Sequence, residues 1–253
     1  MSCALASTSL REKTAIVTGA SSGIGAATVR DLREAGARVA GGARRVDAID
    51  ADVALGLDVT DPASCEAFVE RAVAELGGLD ILVNNAGLAL GRDPFEQSTE
   101  EDERTVLDTN VNGLIRMTRL CLPHLVDGGG HIVNLGSIAA IAAYPGGTLY
   151  CVSKAAVHMF AQALREDLLG KPIRITTIAG GLVETEGFSI TRFRGDEEKA
   201  RAVYENVALG GPIHADDVAD CILFAVTRPP HVNVDEVVVT ALAQSSGARI
   251  IRD

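Results

Sequence analysis

Thr14-Ala15-Ile16-Val17-Thr18-Gly19-Ala20-Ser21-Ser22-Gly23-Ile24-Gly25 is the stretch on which the reading of this chain turns. A short apolar, β-branched run is followed at once by glycines, then by a helical segment from Ala26 to Ala35 that Gly36 ends. The pattern is strand, glycine turn, helix. Glycines at such a turn let the backbone bend sharply and approach a pyrophosphate, whose charge the helix N-terminus favours. The spacing is Gly-x-x-x-Gly-x-Gly, which differs from the general dinucleotide fingerprint Gly-x-Gly-x-x-Gly. No Gly-Lys-Ser/Thr follows, as a nucleoside triphosphate loop requires.

Outward from this stretch, strand-like and helix-like segments alternate in the manner of βαβ units. We read strands at 14–18, 38–42, 53–57, 80–84, 131–136, 173–178 and 236–240. Helices fall near 23–35, 62–76, 99–126 with a break, 150–169 and 215–227. The expected fold class is α/β: a single doubly wound (Rossmann) domain over 1–253, with a seven-stranded parallel sheet flanked by helices. Val46 to Asp52 is too short for a helix of ordinary length, ~11 residues, so a loop or one short turn is expected there. Residues 1–12 lack the basic start and long apolar stretch of a secretory signal and read as a disordered lead.

Composition fits this picture. A chain of 253 residues can bury a large core, and no apolar run approaches the ~20 residues of a membrane span. The excess of 34 acidic over 23 basic side chains argues against a nucleic-acid partner. Cys3, Cys65, Cys121, Cys151 and Cys221 are scattered and odd in number, which reads as free thiols in a reducing cytoplasm. His124, His131, His158, His214 and His231 are equally dispersed, so no metal site is expected.

A second pattern carries chemistry. Tyr150 and Lys154 are one helical turn apart, and upstream Ser137 follows the apolar run Ile132-Val133-Asn134-Leu135-Gly136. A phenol titrates near pH 10 and is a poor acid or base at neutral pH, but an ammonium at i, i+4 can lower its pKa. This reads as a proton-transfer site. Together with Asn84-Asn85-Ala86-Gly87 after the apolar run Ile81-Leu82-Val83, the chain resembles the short-chain dehydrogenase/reductase family from Lys13 to about Gln244. The motifs stand in the family's order: Thr18 to Gly25, Asp58, Asn84 to Gly87, Asn110, Ser137, Tyr150 with Lys154, and Gly181 to Thr185.

The resemblance implies a site. Tyr150 would be the acid/base and Ser137 would orient the carbonyl, while Lys154 would lower the Tyr pKa and grip the nicotinamide ribose. Asn110 matches the family asparagine that supports a water relay, with Asn112 a rival. Cofactor contacts would come from Gly19, Ser21, Ser22, Gly23, Ile24 and Gly25, from Asp58 and Val59, from Asn85, Ala86 and Gly87, and from Gly181, Val183 and Thr185, beside Tyr150 and Lys154. At the end of the second strand Ala43 stands where an acidic residue would bind a free ribose hydroxyl, and Arg44 offers a guanidinium for a 2'-phosphate. The cofactor expected is therefore NADP(H). Where the family has Pro before its second glycine, this chain has Gly180, which raises the ordering cost of the loop that follows.

Within the family, Asn84 to Gly91, Gly181-Leu182-Val183, Phe188-Ser189, Arg192 to Asp196 and Pro230-His231-Val232-Asn233 look like the NADP-dependent 3-hydroxy acid (serine-type) dehydrogenases. A carboxylate substrate needs a cation, and Arg192, Arg194 or Lys199 in the loop region 185–212 could supply it. The run Ala139-Ala140-Ile141-Ala142-Ala143 would form an apolar wall, so a reductase of a larger aldehyde or ketone is an alternative. A non-catalytic NADP-binding sensor or scaffold is a third reading, against which Ser137, Tyr150 and Lys154 stand. Members of the family pair the helix carrying Ala155, Ala156, Val157, Phe160, Ala161 and Leu164 across a two-fold axis, which implies a homotetramer, with a dimer as the alternative.

Overall fold

The computed structural model describes residues 9–126, 129–185 and 187–253. Seven strands form one parallel sheet in the order β3-β2-β1-β4-β5-β6-β9. They are β1 (Thr14–Thr18), β2 (Arg38–Ala43), β3 (Val53–Gly56), β4 (Ile81–Asn84), β5 (Gly130–Leu135), β6 (Ile173–Gly180) and β9 (Glu236–Val239). Parallel strands need crossovers, supplied by α1 (Gly23–Glu34), α2 (Pro62–Leu76), α3 (Glu100–Leu107) running into α4 (Leu114–Val126), α5 (Thr148–Asp167) and α8 (Ala215–Val226). The exception lies between β2 and β3, where Val46–Ala48 makes one 3-10 turn, as its length predicts.

Central strands buried on both faces read as continuous apolar runs, and all five residues of β1 are buried. Two cores result. One side packs α2 and α4 on the sheet through Phe68, Val69, Met117 and Leu125. The other packs α1 and α8 through Val29, Leu32, Val218 and Ile222. The disordered lead expected over 1–12 extends too far: Leu10 is 3% exposed and joins this second core, because an apolar side chain so near β1 finds the α1 face within reach. Residues 1–8 lie outside the described residues.

The order of the sheet reverses between β1 and β4, so the crossovers on either side diverge and leave a crevice at the carboxyl ends of the strands. Two further features shape that end. The break expected in the 99–126 helix is a π-helical stretch, Asp108–Gly113, an insertion of the kind found at functional sites. Between β6 and β9 the chain leaves the sheet through β7 (Val183–Glu184), runs through α6 (Phe188–Arg192) and α7 (Glu197–Ala202), and returns at β8 (Ile213–His214). β7 and β8 pair in parallel and close the root of this excursion. Among the described residues, no helix is long and apolar enough to cross a membrane.

Candidate active site

The glycine turn after β1 is locked from both sides. Gly19 has φ +68°, in the left-handed region, and a Cβ on Gly25 would collide with the Gly19 carbonyl. The Thr18 hydroxyl accepts from the N–H groups of Asn85 and Ala86, each at 3.0 Å. The Asn85 side chain in turn donates to the Thr18 carbonyl at 2.8 Å. α1 begins at once, with no side-chain cap on its first N–H groups and no acidic residue in its first turn. Those donors face a cavity of about 1190 Å³, so the turn suits a pyrophosphate.

Of the residues expected to contact the cofactor or take part in the proton transfer, all but Gly25 and Asn110 line this one cavity. At its far end, exposed Arg44 stands beside Asp58. Bonds from the Thr60 hydroxyl and N–H hold the Asp58 carboxyl below the usual range, and the charge of Arg44 adds to them. Arg45, next to Arg44, reaches back 3.1 Å to the Ser22 hydroxyl, placing a second cation over the turn.

At the near end, Ser137 follows β5 and Tyr150 and Lys154 project from the first turns of α5. The Ser137 hydroxyl lies 3.4 Å from the Gly180 carbonyl and accepts from the Ala139 N–H at 3.1 Å. Lys154 Nζ donates to the Leu135 carbonyl at 2.7 Å and lies 5.7 Å from the centre of the Tyr150 ring. Here the sequence expectation needs correction. Burial raises Tyr150 above the ordinary phenol value, although the Ser137 hydrogen bond and the charge of Arg192 pull it down. Burial also pushes Lys154 down to about 8, since its apolar setting disfavours the ammonium. The tyrosine is half-buried by area, yet closely enough surrounded that desolvation dominates.

The two candidate asparagines have different surroundings. Asn112 is exposed and bonds Asp108, whereas Asn110 is 1% exposed. Its amide accepts from Leu88 N–H at 2.8 Å and donates to the Leu88 carbonyl at 2.8 Å and to the Ser153 hydroxyl at 3.0 Å. These bonds make the side chain a brace between the β4 loop and α5.

Residues 13–192 match the family model described as short chain dehydrogenase. The chain belongs to that family. The NADP-dependent 3-hydroxy acid dehydrogenase YdfG of Salmonella typhi is 39% identical over 239 residues, covering 91% of this chain and 95% of that protein. The serine 3-dehydrogenase of Agrobacterium fabrum is 38% identical over 253 residues, covering 95% and 98%. The closed form of a serine dehydrogenase complexed with NADP+ superposes with a TM-score of 0.87 at 37% identity, covering 95% of this chain and 99% of that one.

Two departures from expectation shape this dehydrogenase's site. The loop after Gly180 is held without the family's proline: the Gly181 N–H donates to the Val239 carbonyl at 2.8 Å and the Leu182 N–H to Gln244 Oε1 at 2.7 Å. The Ala-rich wall does not form either. Of Ala139 to Ala143 only Ala139 lines the cavity, and Tyr144 occupies the wall instead. Around Tyr144 two arginines gather, Arg92 with its guanidinium 5.6 Å from the ring centre and Arg192 at 5.3 Å. Of the three candidate cations, Arg194 is paired to Asp102 at 2.7 Å and Lys199 to Asp196 at 3.0 Å. Only Arg192 lines the cavity, donating to the Tyr144 hydroxyl at 2.9 Å and the Gly91 carbonyl at 3.1 Å. Phe188 stands edge-on to Tyr150, ring centres 5.8 Å apart. Arg92 and Tyr144 carry no sequence signal, because no spacing motif links them to the helix of Tyr150 and Lys154, and Phe188 is read only as part of the resemblance, with no role of its own.

Proposed function

We propose that this dehydrogenase transfers a hydride between NADP(H) and the C3 position of a small 3-hydroxy acid or its oxo form. The observation that carries the reading is Arg192. Its guanidinium lies 5.9 Å from the Tyr150 ring centre and has no carboxylate partner within salt-bridge distance among the described residues. A bidentate cation beside the proton donor suits a carboxylate one carbon removed from the reacting alcohol.

NADP(H) fits the residues present. Arg44 and Arg45 suit the 2'-phosphate, the first turn of α1 the pyrophosphate, and Lys154 the nicotinamide ribose. When bound, the cofactor supplies or accepts the hydride. The chain's residues handle the proton: Tyr150 gives it to the substrate oxygen in reduction and takes it in oxidation, while the Ser137 hydroxyl donates to the same oxygen and fixes its position. Phe188 covers the tyrosine and excludes water. Asn110 keeps α5 and the β4 loop in register through Ser153. Relatives named as NADP-dependent 3-hydroxy acid and serine 3-dehydrogenases support the same reading.

The proposed assembly is a homotetramer, with a dimer as the alternative. On α5, Val157 and Ala161 are buried in the protomer, but Val152 and Met159 are 54% and 62% exposed, an apolar face suited to a second copy. Turnover of a panel of 3-hydroxy acids and uncharged secondary alcohols, each with NADP+ and NAD+, tests the function. Preference for the acids and for NADP+ is expected, by about tenfold to hundredfold for the cofactor. Equal rates with both cofactors, or with acids and uncharged alcohols, reject the reading.

A further inference from the structure

Behind Ser137, on the side away from the cavity, His158 projects from α5 one turn after Lys154. Its Nε2 accepts the Ser137 backbone N–H at 3.3 Å, and its Nδ1 lies 3.3 Å from Glu236 Oε1 at the start of β9. An acceptor at Nε2 fixes the neutral tautomer with its proton on Nδ1, directed at the Glu236 carboxylate. The ring leaves no slack: a Cβ on Gly136 would run into Nε2. We propose that His158, held by Glu236, is a positioning residue that sets the backbone at Ser137 and with it the hydroxyl that orients the substrate.

The contact makes Ser137 sensitive to acid. Protonation at Nε2 sets an N–H against the Ser137 N–H and breaks the bond. The charged groups acting on the ring are Glu236, from β9, and Lys154, on its own helix. Burial lowers His158 below the ordinary imidazole value, aided by Lys154 and opposed by Glu236, so the neutral, accepting form holds at neutral pH.

The proposal rests on the reading of Ser137 as the orienting hydroxyl, and two readouts on the full protein separate its failure from that of the reading. The first follows the Ser137 amide by transverse-relaxation-optimised 1H–15N spectra through an acid titration. It should shift together with the His158 ring, below about pH 6.5, and should stay put over the same range in His158→Gln. The second compares kcat at saturating NADP(H). His158→Leu should lose about threefold to tenfold with little change in the KM for NADP(H), His158→Gln should recover most of that loss, and the acid limb of the wild-type kcat profile should weaken in the Gln variant. A Ser137 amide that ignores the titration of the ring overturns the coupling. Native kcat in His158→Leu overturns the positioning role. Full activity in Ser137→Ala instead removes the reading of Ser137, whatever the amide does.

Discussion

Replacing Arg192 by Gln tests the carboxylate assignment most directly. The substitution removes a charge-assisted, bidentate donor, worth about 1.5 to 3 kcal/mol, or roughly tenfold to hundredfold in kcat/KM. It also removes the bonds to the Tyr144 hydroxyl and the Gly91 carbonyl, and with them part of the seating of α6. That structural loss strikes every substrate alike. The ratio of kcat/KM between a 3-hydroxy acid and its methyl ester isolates the electrostatic part, and should fall by at least tenfold in Arg192→Gln. Arg192→Lys keeps the charge but not the fork, and should fall between. A further sign follows from Tyr150. The charge of Arg192 helps to hold that phenol down, so without it the tyrosine's titration, and the pH limb it sets, moves to higher pH. If acid and ester lose activity in equal proportion, Arg192 is structural and the carboxylate assignment fails.

Tyr150→Phe should keep NADP(H) binding while losing about 10² to 10⁴ in turnover; near-native kcat at saturating substrate would show the proton donor to be elsewhere. His131 is buried and, beside Arg174, pushed down to about 3, while an unfolded imidazole titrates near 6.5. Between those values the unfolded chain binds the extra proton, so stability falls as pH drops, by about 2 kcal/mol at pH 5. Urea unfolding at pH 7 and pH 5 should show a shallower acid loss for His131→Gln, and an unchanged slope would assign the loss to another group. Light scattering across a dilution series should give a tetramer, and Met159→Glu should shift it toward smaller species; a mass near 26.3 kDa for the wild type at micromolar concentration means a monomer.

The main sheet was legible because buried parallel strands leave continuous apolar runs and the glycine turn marks where the first one ends. β7, β8, α6 and α7 were not: elements this short lack a period, and they exist because the sheet and the body of the protein hold them. The break in the 99–126 helix could be anticipated, but not its π character, and the Asn110 within it bonds Leu88 and Ser153, segments distant in sequence. Motif residues at the strand ends converge on the cavity since the topology takes every strand's carboxyl end to the same side. Arg45, Arg92, Tyr144, His158 and Gln244 escape such a reading, because their roles arise from contacts between segments distant in sequence. The pairing of Tyr150 with Lys154 was visible as a spacing, whereas the burial that opposes its expected effect is a property of the folded surroundings.

The short ladder of β7 and β8 carries a consequence for diversification. Val183 pairs with Ile213 and Glu184 with His214, so the excursion leaves and re-enters the body at adjacent points. A segment whose ends are already brought together can change length at a small entropic cost, about 0.6 kcal/mol for each doubling. The stretch that carries Phe188 and Arg192 is thus a replaceable cassette. Exchanging it would change the residues above Tyr150 while leaving the glycine turn, the sheet and the helix of Tyr150 and Lys154 as they are.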